Sequence, residues 1–180
     1  MKEAKKRGLP NIHSTVEALG YMNNESAVKL FERYKILTRE ELHSRYEIYL
    51  EQYAKHINIE ALTAIDMVKR LYIPVVIGYT SELAKTIARV KATKTSASVQ
   101  AALLGEISDL LESASKKLAK LEAETKKAQG IGEAHHRAEA YRDKVFTAQA
   151  DLRKDIDALE QILPTSVWPV PTYADMLFKL

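Results

Sequence analysis

The sequence predicts an all-α fold, a bundle of three long antiparallel helices with the first kinked at Pro74, short N-terminal helices and an apolar C-terminal tail. Two observations carry this prediction. Ala, Glu, Lys, Leu and Arg make up 87 of the 180 residues, a share typical of long helices. Glycine contributes only 6 residues, too few for the many turns of a β-sandwich or β-barrel.

The N-terminal segment, residues 1–37, is expected to form short helices and turns that lead into the bundle. Ser14 and Glu17 have the spacing of a capping box, which predicts a brief helix at that point. A second short helix is expected from about Glu25 to Lys35. Its apolar face would consist of Ala27, Leu30, Phe31 and Tyr34.

Residues 38–163 are expected to form the long-helix bundle. Thr38 and Glu41 make another capping box, after which apolar residues recur at three- and four-residue steps as far as Val90. Pro74 interrupts this stripe, and an internal proline removes a hydrogen bond and crowds the preceding turn. Because the stripe resumes in register, with no cluster of turn residues except Gly78, we expect a bend and not a loop.

Two further helices complete the predicted bundle. The second is expected to follow the polar connection 94–98, whose serine and threonine side chains are good N-caps, and to end before Gly130. The third is expected from Glu133 to about Leu163, where Pro164 stops it. Each helix has one apolar stripe, so the three can share a core.

Residues 164–180 form a tail of a different kind, rich in proline and aromatic residues, and a final helical turn is expected after Thr172. Burying each large apolar side chain contributes roughly 1.5–3 kcal/mol. We therefore identify a candidate docking anchor consisting of Trp168, Tyr173, Met176, Leu177 and Phe178. The tail either folds back on its own bundle or docks on another chain or domain, and the sequence leaves both alternatives open.

Catalytic and metal sites are not expected in this chain. It has no cysteine, which excludes thiolate metal sites and a cysteine nucleophile, and no glycine-rich phosphate loop follows a strand. Two Glu-x-x-His pairs have the spacing used in di-iron bundles, but both lie away from the apolar stripes and near helix starts. These pairs are Glu40 with His43 and Glu133 with His136.

The remaining histidines and the lysine clusters favour structural roles. His135 and His136 are expected to be exposed near a loop, whereas His43 and His56 are expected to pack beside the stripe with hydrogen bonds. Acidic residues interleave with the lysines at helical spacing, as in the pairs Glu112–Lys116 and Glu122–Lys126. Four of the nine tyrosines are interpreted as core residues whose hydroxyls reach polar edges, namely Tyr46, Tyr53, Tyr72 and Tyr79.

Charge and hydropathy restrict the partners. The net charge of +3 is too small to indicate nucleic acid by itself, and no aromatic residues alternate with the lysines to stack bases. The longest apolar run, 71–79, is far shorter than the ~20 residues that span a bilayer. No apolar stretch follows the basic N-terminus, so we expect no secretory signal, no membrane contact and a cytoplasmic location.

Several blocks of the chain resemble the C-terminal region of type III glutamine synthetases. The ending Trp168-Pro-Val-Pro-Thr-Tyr-Ala-Asp-Met-Leu-Phe178 is similar to that family's C-terminus. Other similar blocks occur in the same order along nearly the whole chain, at residues 4–11, 41–51, 57–63, 142–146, 152–153 and 157–160.

The resemblance implies that the chain is the C-terminal helical domain of a longer ATP-dependent ligase. That enzyme forms glutamine from glutamate and ammonia through γ-glutamyl phosphate, with magnesium or manganese ions. Its catalytic residues lie in upstream β-rich segments, so none is assigned here, and no cofactor is expected in this chain. The implied partners are the remainder of the synthetase and neighbouring subunits of a double-ring homo-oligomer. A free-standing helical interaction module remains the alternative.

Overall fold

The computed structural model describes residues 2–178, and no strand occurs among them. The fold is all-α, as predicted. Short helices come first, namely α1 (Lys2–Lys6), α2 (Thr15–Met22) and α3 (Glu25–Arg33). The next helices are the long α4 (Arg39–Met67), α5 (Ile73–Ala92) and α6 (Ser98–Gln129). The short α7 (Ala134–Ala140) leads into the longer α8 (Phe146–Ile162), and the terminal helix is α9 (Tyr173–Phe178).

Helices α4 and α5 form one continuous rod, because the turn between them, Val68–Tyr72, is π-helical and not a loop. At 1.5 Å per residue the rod is on the order of 80 Å long. The predicted passage of the helix through Pro74 is therefore confirmed. In the π turn the Ile73 N–H donates to the Val68 carbonyl, five residues back. This wider turn gives room to the proline ring, which would clash with a carbonyl of a regular preceding turn.

The start of the rod has the predicted capping box. The Glu41 N–H donates to Thr38 Oγ1 at 3.2 Å, and the Thr38 N–H donates to a Glu41 carboxylate oxygen at 2.8 Å. Both bonds satisfy N–H groups that a helix start leaves without intrahelical partners.

Removing this cap should destabilise the chain measurably. We expect Thr38→Ala to lower the free energy of unfolding by about 1 kcal/mol, because the Glu41 N–H loses its acceptor. Urea denaturation followed by circular dichroism measures the change. Thr38→Ser retains the hydroxyl and should stay within about 0.5 kcal/mol of the wild type. An equal loss in both variants would contradict the capping assignment.

Helix α6 and the helical pair α7–α8 pack with the rod into the bundle. A second π turn, Tyr141–Val145, joins α7 to α8 without a break. The core lies along the shared axis, and α6 contributes Ile107, Ala114, Leu118, Leu121 and Ala128, whereas α8 contributes Ala148, Leu152, Ile156 and Leu159. The apolar stripe predicted for each of these helices is largely buried.

The predicted side-chain cap of α6 is wrong. Ala97 occupies the N-cap position, and no side-chain hydrogen bond caps the helix. The Ala97 side chain is instead buried, so this helix start is held by apolar packing and not by a hydroxyl.

Helices α2 and α3 lie against the N-terminal part of α4. A small second core joins Val16 of α2, Leu50 of α4 and Ala138 of α7. The predicted apolar face of α3 is wrong, because Val28 is its buried residue while Leu30 and Tyr34 are 55% and 62% exposed. Leu30 lies two residues from Val28, about 200° around the helix; Tyr34 is the C-cap, beyond the regular helix.

Candidate functional site

The base of the tail is fixed on the bundle. Trp168 is only 7% exposed, and its ring stacks on that of Tyr72 with centroids 5.0 Å apart. The backbone N–H groups of Val167 and Trp168 both donate to the Pro164 carbonyl, at 3.0 and 3.3 Å. Val170 packs against the main core. The first half of the tail therefore folds back on its own bundle.

The tip of the tail has a capping box of its own. The Asp175 N–H donates to Thr172 Oγ1 at 3.2 Å, and the Thr172 N–H donates to Asp175 Oδ2 at 3.0 Å. These reciprocal bonds fix the start of α9. The helical turn predicted after Thr172 is thus confirmed.

Two residues in the outer half of the candidate docking anchor are largely exposed. Met176 and Leu177 are 61% and 77% exposed, in contrast to Trp168. The side chains of Tyr173 and Phe178 lie outside the described part of the chain. Among the three anchor residues whose side chains the structure describes, Trp168 is therefore a buried attachment, whereas Met176 and Leu177 are exposed.

A groove with a volume of about 310 Å³ lies beneath the tail, between the continuous α4–α5 helix and α8. Its walls are mainly apolar and include Met67, Val68, Leu152, Ile156, Val170 and Met176. Gln149, Arg153, Asp157 and Glu160 add polar groups.

One of the two Glu-x-x-His pairs caps a helix start. Glu133 is the N-cap of α7, and its carboxylate accepts hydrogen bonds from the backbone N–H groups of His136 and His135 at 2.6 and 2.9 Å. These bonds hold the pKa of Glu133 below its usual range. Glu40 is exposed. Within residues 2–178, no three His, Cys, Asp or Glu side chains gather into a group suited to a metal ion.

Two predictions about individual histidines are wrong. His135 is not a free surface side chain, because its Nδ1 lies 2.8 Å from the Tyr46 hydroxyl. His56 is exposed and not packed beside the stripe. His43 is also largely exposed, although Asn23 and Glu47 contact its ring nitrogens at 3.4 and 3.5 Å.

Several lysines of the lysine clusters form ion pairs with carboxylates. Lys116 contacts Glu112 at 2.6 Å, as its spacing predicts. The predicted Glu122–Lys126 pair is replaced by a contact between helices, since Glu122 pairs with Lys69 of the π turn. Side-chain spacing along one helix could not reveal this partner, which the packing of two helices brings into reach.

One buried carboxylate was not recognised from the sequence. Asp155 is 7% exposed on the apolar stripe of α8. It accepts hydrogen bonds from Ser113 Oγ and Lys117 Nζ of α6, both at 2.6 Å. Its position, one residue before Ile156 and three after Leu152, is the signal that could have identified it.

Two tyrosine hydroxyls link helices at the edges of the core, and for Tyr46 this confirms the prediction. Tyr46 contacts His135, and the Tyr141 hydroxyl donates to Asn58 Oδ1 at 2.9 Å. Burial raises the pKa of Tyr46, Tyr53 and Tyr141 above the usual value.

These raised pKa values predict a loss of stability at alkaline pH. The folded chain holds the three phenolic protons more tightly than the unfolded chain does. The stability that this tighter proton binding provides is fully present below the unfolded tyrosine pKa of about 10. It is lost as the pH rises through the pKa values of the folded chain. We expect the free energy of unfolding, measured by urea denaturation between pH 8.5 and 11, to fall less steeply in the triple variant in which Tyr46, Tyr53 and Tyr141 are each replaced by Phe. Tyr34→Phe, which removes an exposed hydroxyl, is the control, and parallel profiles would contradict the prediction.

Across residues 2–178, no helix combines the length and apolar character that crossing a membrane requires.

Comparisons with known proteins point to one family. The family model described as the glutamine synthetase C-terminal domain matches residues 1–91. A glutamine synthetase of Butyrivibrio fibrisolvens is 37% identical over the whole chain, which covers 26% of that protein. A type-3 glutamine synthetase of Dictyostelium discoideum is 34% identical over 97% of the chain, and a glutamine synthetase of Bacteroides fragilis is 33% identical over 98%.

The chain spans about a quarter of the length of these relatives. Its similarity to them nevertheless extends from the first short helices to the tail, and the family model covers half of its residues. The chain therefore belongs to the glutamine synthetase C-terminal domain family.

Proposed function

We propose that this chain is the helical C-terminal domain of a longer, cytoplasmic type-3 glutamine synthetase. The enzyme would ligate ammonia to glutamate in nitrogen assimilation, with ATP and magnesium or manganese ions bound by its other segments. The observation that carries this proposal is coverage: relatives at 33–37% identity match 97% or more of this chain with only about a quarter of their own length.

The role proposed for the domain is structural. Trp168 attaches the tail to the bundle, and the capping box at Thr172 orders the helix that carries Met176 and Leu177. Both side chains are largely exposed on this ordered element, and Met176 also lines the groove beneath the tail. Exposed apolar side chains in such a position favour contact with another protein surface. We assign that surface to the remainder of the synthetase or to a neighbouring subunit of a double-ring oligomer.

The test is a double variant, Met176→Asp with Leu177→Asp, in the full-length synthetase. We expect the two introduced carboxylates to weaken assembly, and analytical ultracentrifugation should detect this as smaller particles. Melting of the 180-residue chain should hardly change, because both side chains are already exposed. Val99→Asp is the matched control, since Val99 is also 77% exposed but lies at the start of α6. Intact assembly in the double variant would reject the docking role.

The chain alone should not catalyse the ligation, because the proposal assigns glutamate and nucleotide binding to the other three quarters of the enzyme. A γ-glutamyl transfer assay of the purified 180-residue chain measures this directly. Turnover that survives further purification would overturn the assignment of catalysis to the other segments.

A further inference from the structure

The groove beneath the tail has the size and the lining of a small-molecule site. Its volume of about 310 Å³ falls at the lower end of the roughly 300–1,000 Å³ of ligand pockets. Apolar side chains of three separate elements form its walls: Met67 and Val68 from the first rod, Leu152 and Ile156 from α8, and Val170 from the tail. Such a mainly apolar cleft with a few polar groups is the usual form of a ligand site.

One of the polar groups has an unmet hydrogen-bonding capacity. Gln149 lines the groove, and its buried Oε1 atom accepts no hydrogen bond. Buried polar atoms normally have a partner, so each exception indicates a specific cause. The terminal torsion of glutamine is soft, so the amide can turn its oxygen toward a donor within the groove.

A second unmet group lies beside the same groove. The Trp168 Nε1–H is buried without an acceptor, and its ring stacks on Tyr72, which forms part of the groove wall. Tyr72 and Val68 both belong to the π turn Val68–Tyr72. Such turns occur frequently at functional sites. The groove, the distorted helix and two unpaired polar atoms thus coincide in one region of the bundle.

We propose that this groove binds a small apolar molecule that carries an N–H or O–H donor. The apolar body packs between Leu152, Ile156 and the rod, and the donor bonds to Gln149 Oε1. This site is separate from the ligase activity assigned to the rest of the synthetase.

Trp168 provides a selective reporter, because it is the only tryptophan. In 15N-labelled chain its indole N–H gives one resonance, and unlabelled probes contribute none. We expect indole to shift this resonance saturably. Benzofuran has nearly the same shape but no N–H, and it should bind about tenfold more weakly, since one hydrogen bond contributes about that factor. Absence of a saturable shift, or equal binding of the two probes, would overturn the proposal.

Gln149→Leu tests the assigned acceptor. The variant keeps the approximate volume but removes the oxygen, so indole and benzofuran should bind it with similar affinity. It should remain folded, because it replaces an amide that has no donor for its buried oxygen. Gln161→Leu is the control on the same helix, at an exposed position outside the groove, and should keep the tenfold preference. Preserved discrimination in Gln149→Leu would refute the role of Gln149.

Discussion

Trp168→Ala should lower the free energy of unfolding of the chain by about 3–5 kcal/mol, the range for removing a large buried aromatic side chain. The ring is 7% exposed and stacks on Tyr72, so the variant loses apolar burial and an aromatic contact together. For a chain of this size each kcal/mol shifts the melting temperature by about 2–4 °C. A decrease of about 6–20 °C in a thermal melt is therefore expected.

Leu177→Ala is the matched control within the same tail. Its side chain is 77% exposed, so its truncation should change stability by less than about 0.5 kcal/mol. The difference between the two variants measures how firmly the base of the tail is attached to the bundle. If Trp168→Ala melted within 2 °C of the wild type, the tail would not be anchored in cis and the structural role proposed for it would fail.

The long helices could be predicted from the sequence because their signals are local. The capping box at Thr38 and the three- and four-residue apolar steps require no knowledge of other elements. The continuation through Pro74 was predictable for the same reason, since the stripe kept its register. The π turn at Tyr141–Val145 was not, because this segment contains no proline or glycine to mark it.

The contacts between helices depend on how far each long helix is shifted along its neighbour. The sequence pattern does not specify this shift. Tyr46 and His135 are 89 residues apart and meet only because α7 lies against α4. Asp155 and Gln149 are different, because both fall near the apolar stripe of α8. A polar residue on a stripe is a usable signal for a buried interaction, although its partner must come from the structure.

Lys117→Met should be the second most damaging substitution, with an expected loss of about 2–3 kcal/mol. It removes the ammonium that contacts Asp155 Oδ1 and leaves a carboxylate with only the Ser113 hydroxyl as a donor. Breaking a buried ion pair from one side typically costs about 3–5 kcal/mol. Lys117 is one-third exposed, so water partly replaces the lost partner and the lower value is expected.

The neighbouring lysine provides the control. Lys116 also contacts a carboxylate at 2.6 Å, but both side chains of its pair with Glu112 are more than 60% exposed. Lys116→Met should therefore cost less than about 0.5 kcal/mol, as exposed pairs contribute little. The two variants remove the same charge from adjacent positions of one helix, so they differ chiefly in the burial of the partner. Equal losses would show that Asp155 is not held as a buried pair.

The double variant Lys117→Met, Asp155→Leu measures what the whole ion pair contributes to the free energy of unfolding. The single variant also includes the cost of leaving the buried Asp155 carboxylate without its ammonium partner. Leu at position 155 would extend the apolar stripe formed by Leu152, Ile156 and Leu159. Replacement of a buried ion pair by apolar residues of similar volume is often neutral or stabilising. We therefore expect urea denaturation to place the double variant within about 1 kcal/mol of the wild type, well above Lys117→Met alone. A double variant as unstable as Lys117→Met would instead show that the hydrogen bonds of Asp155 contribute directly to the pairing of α6 with α8.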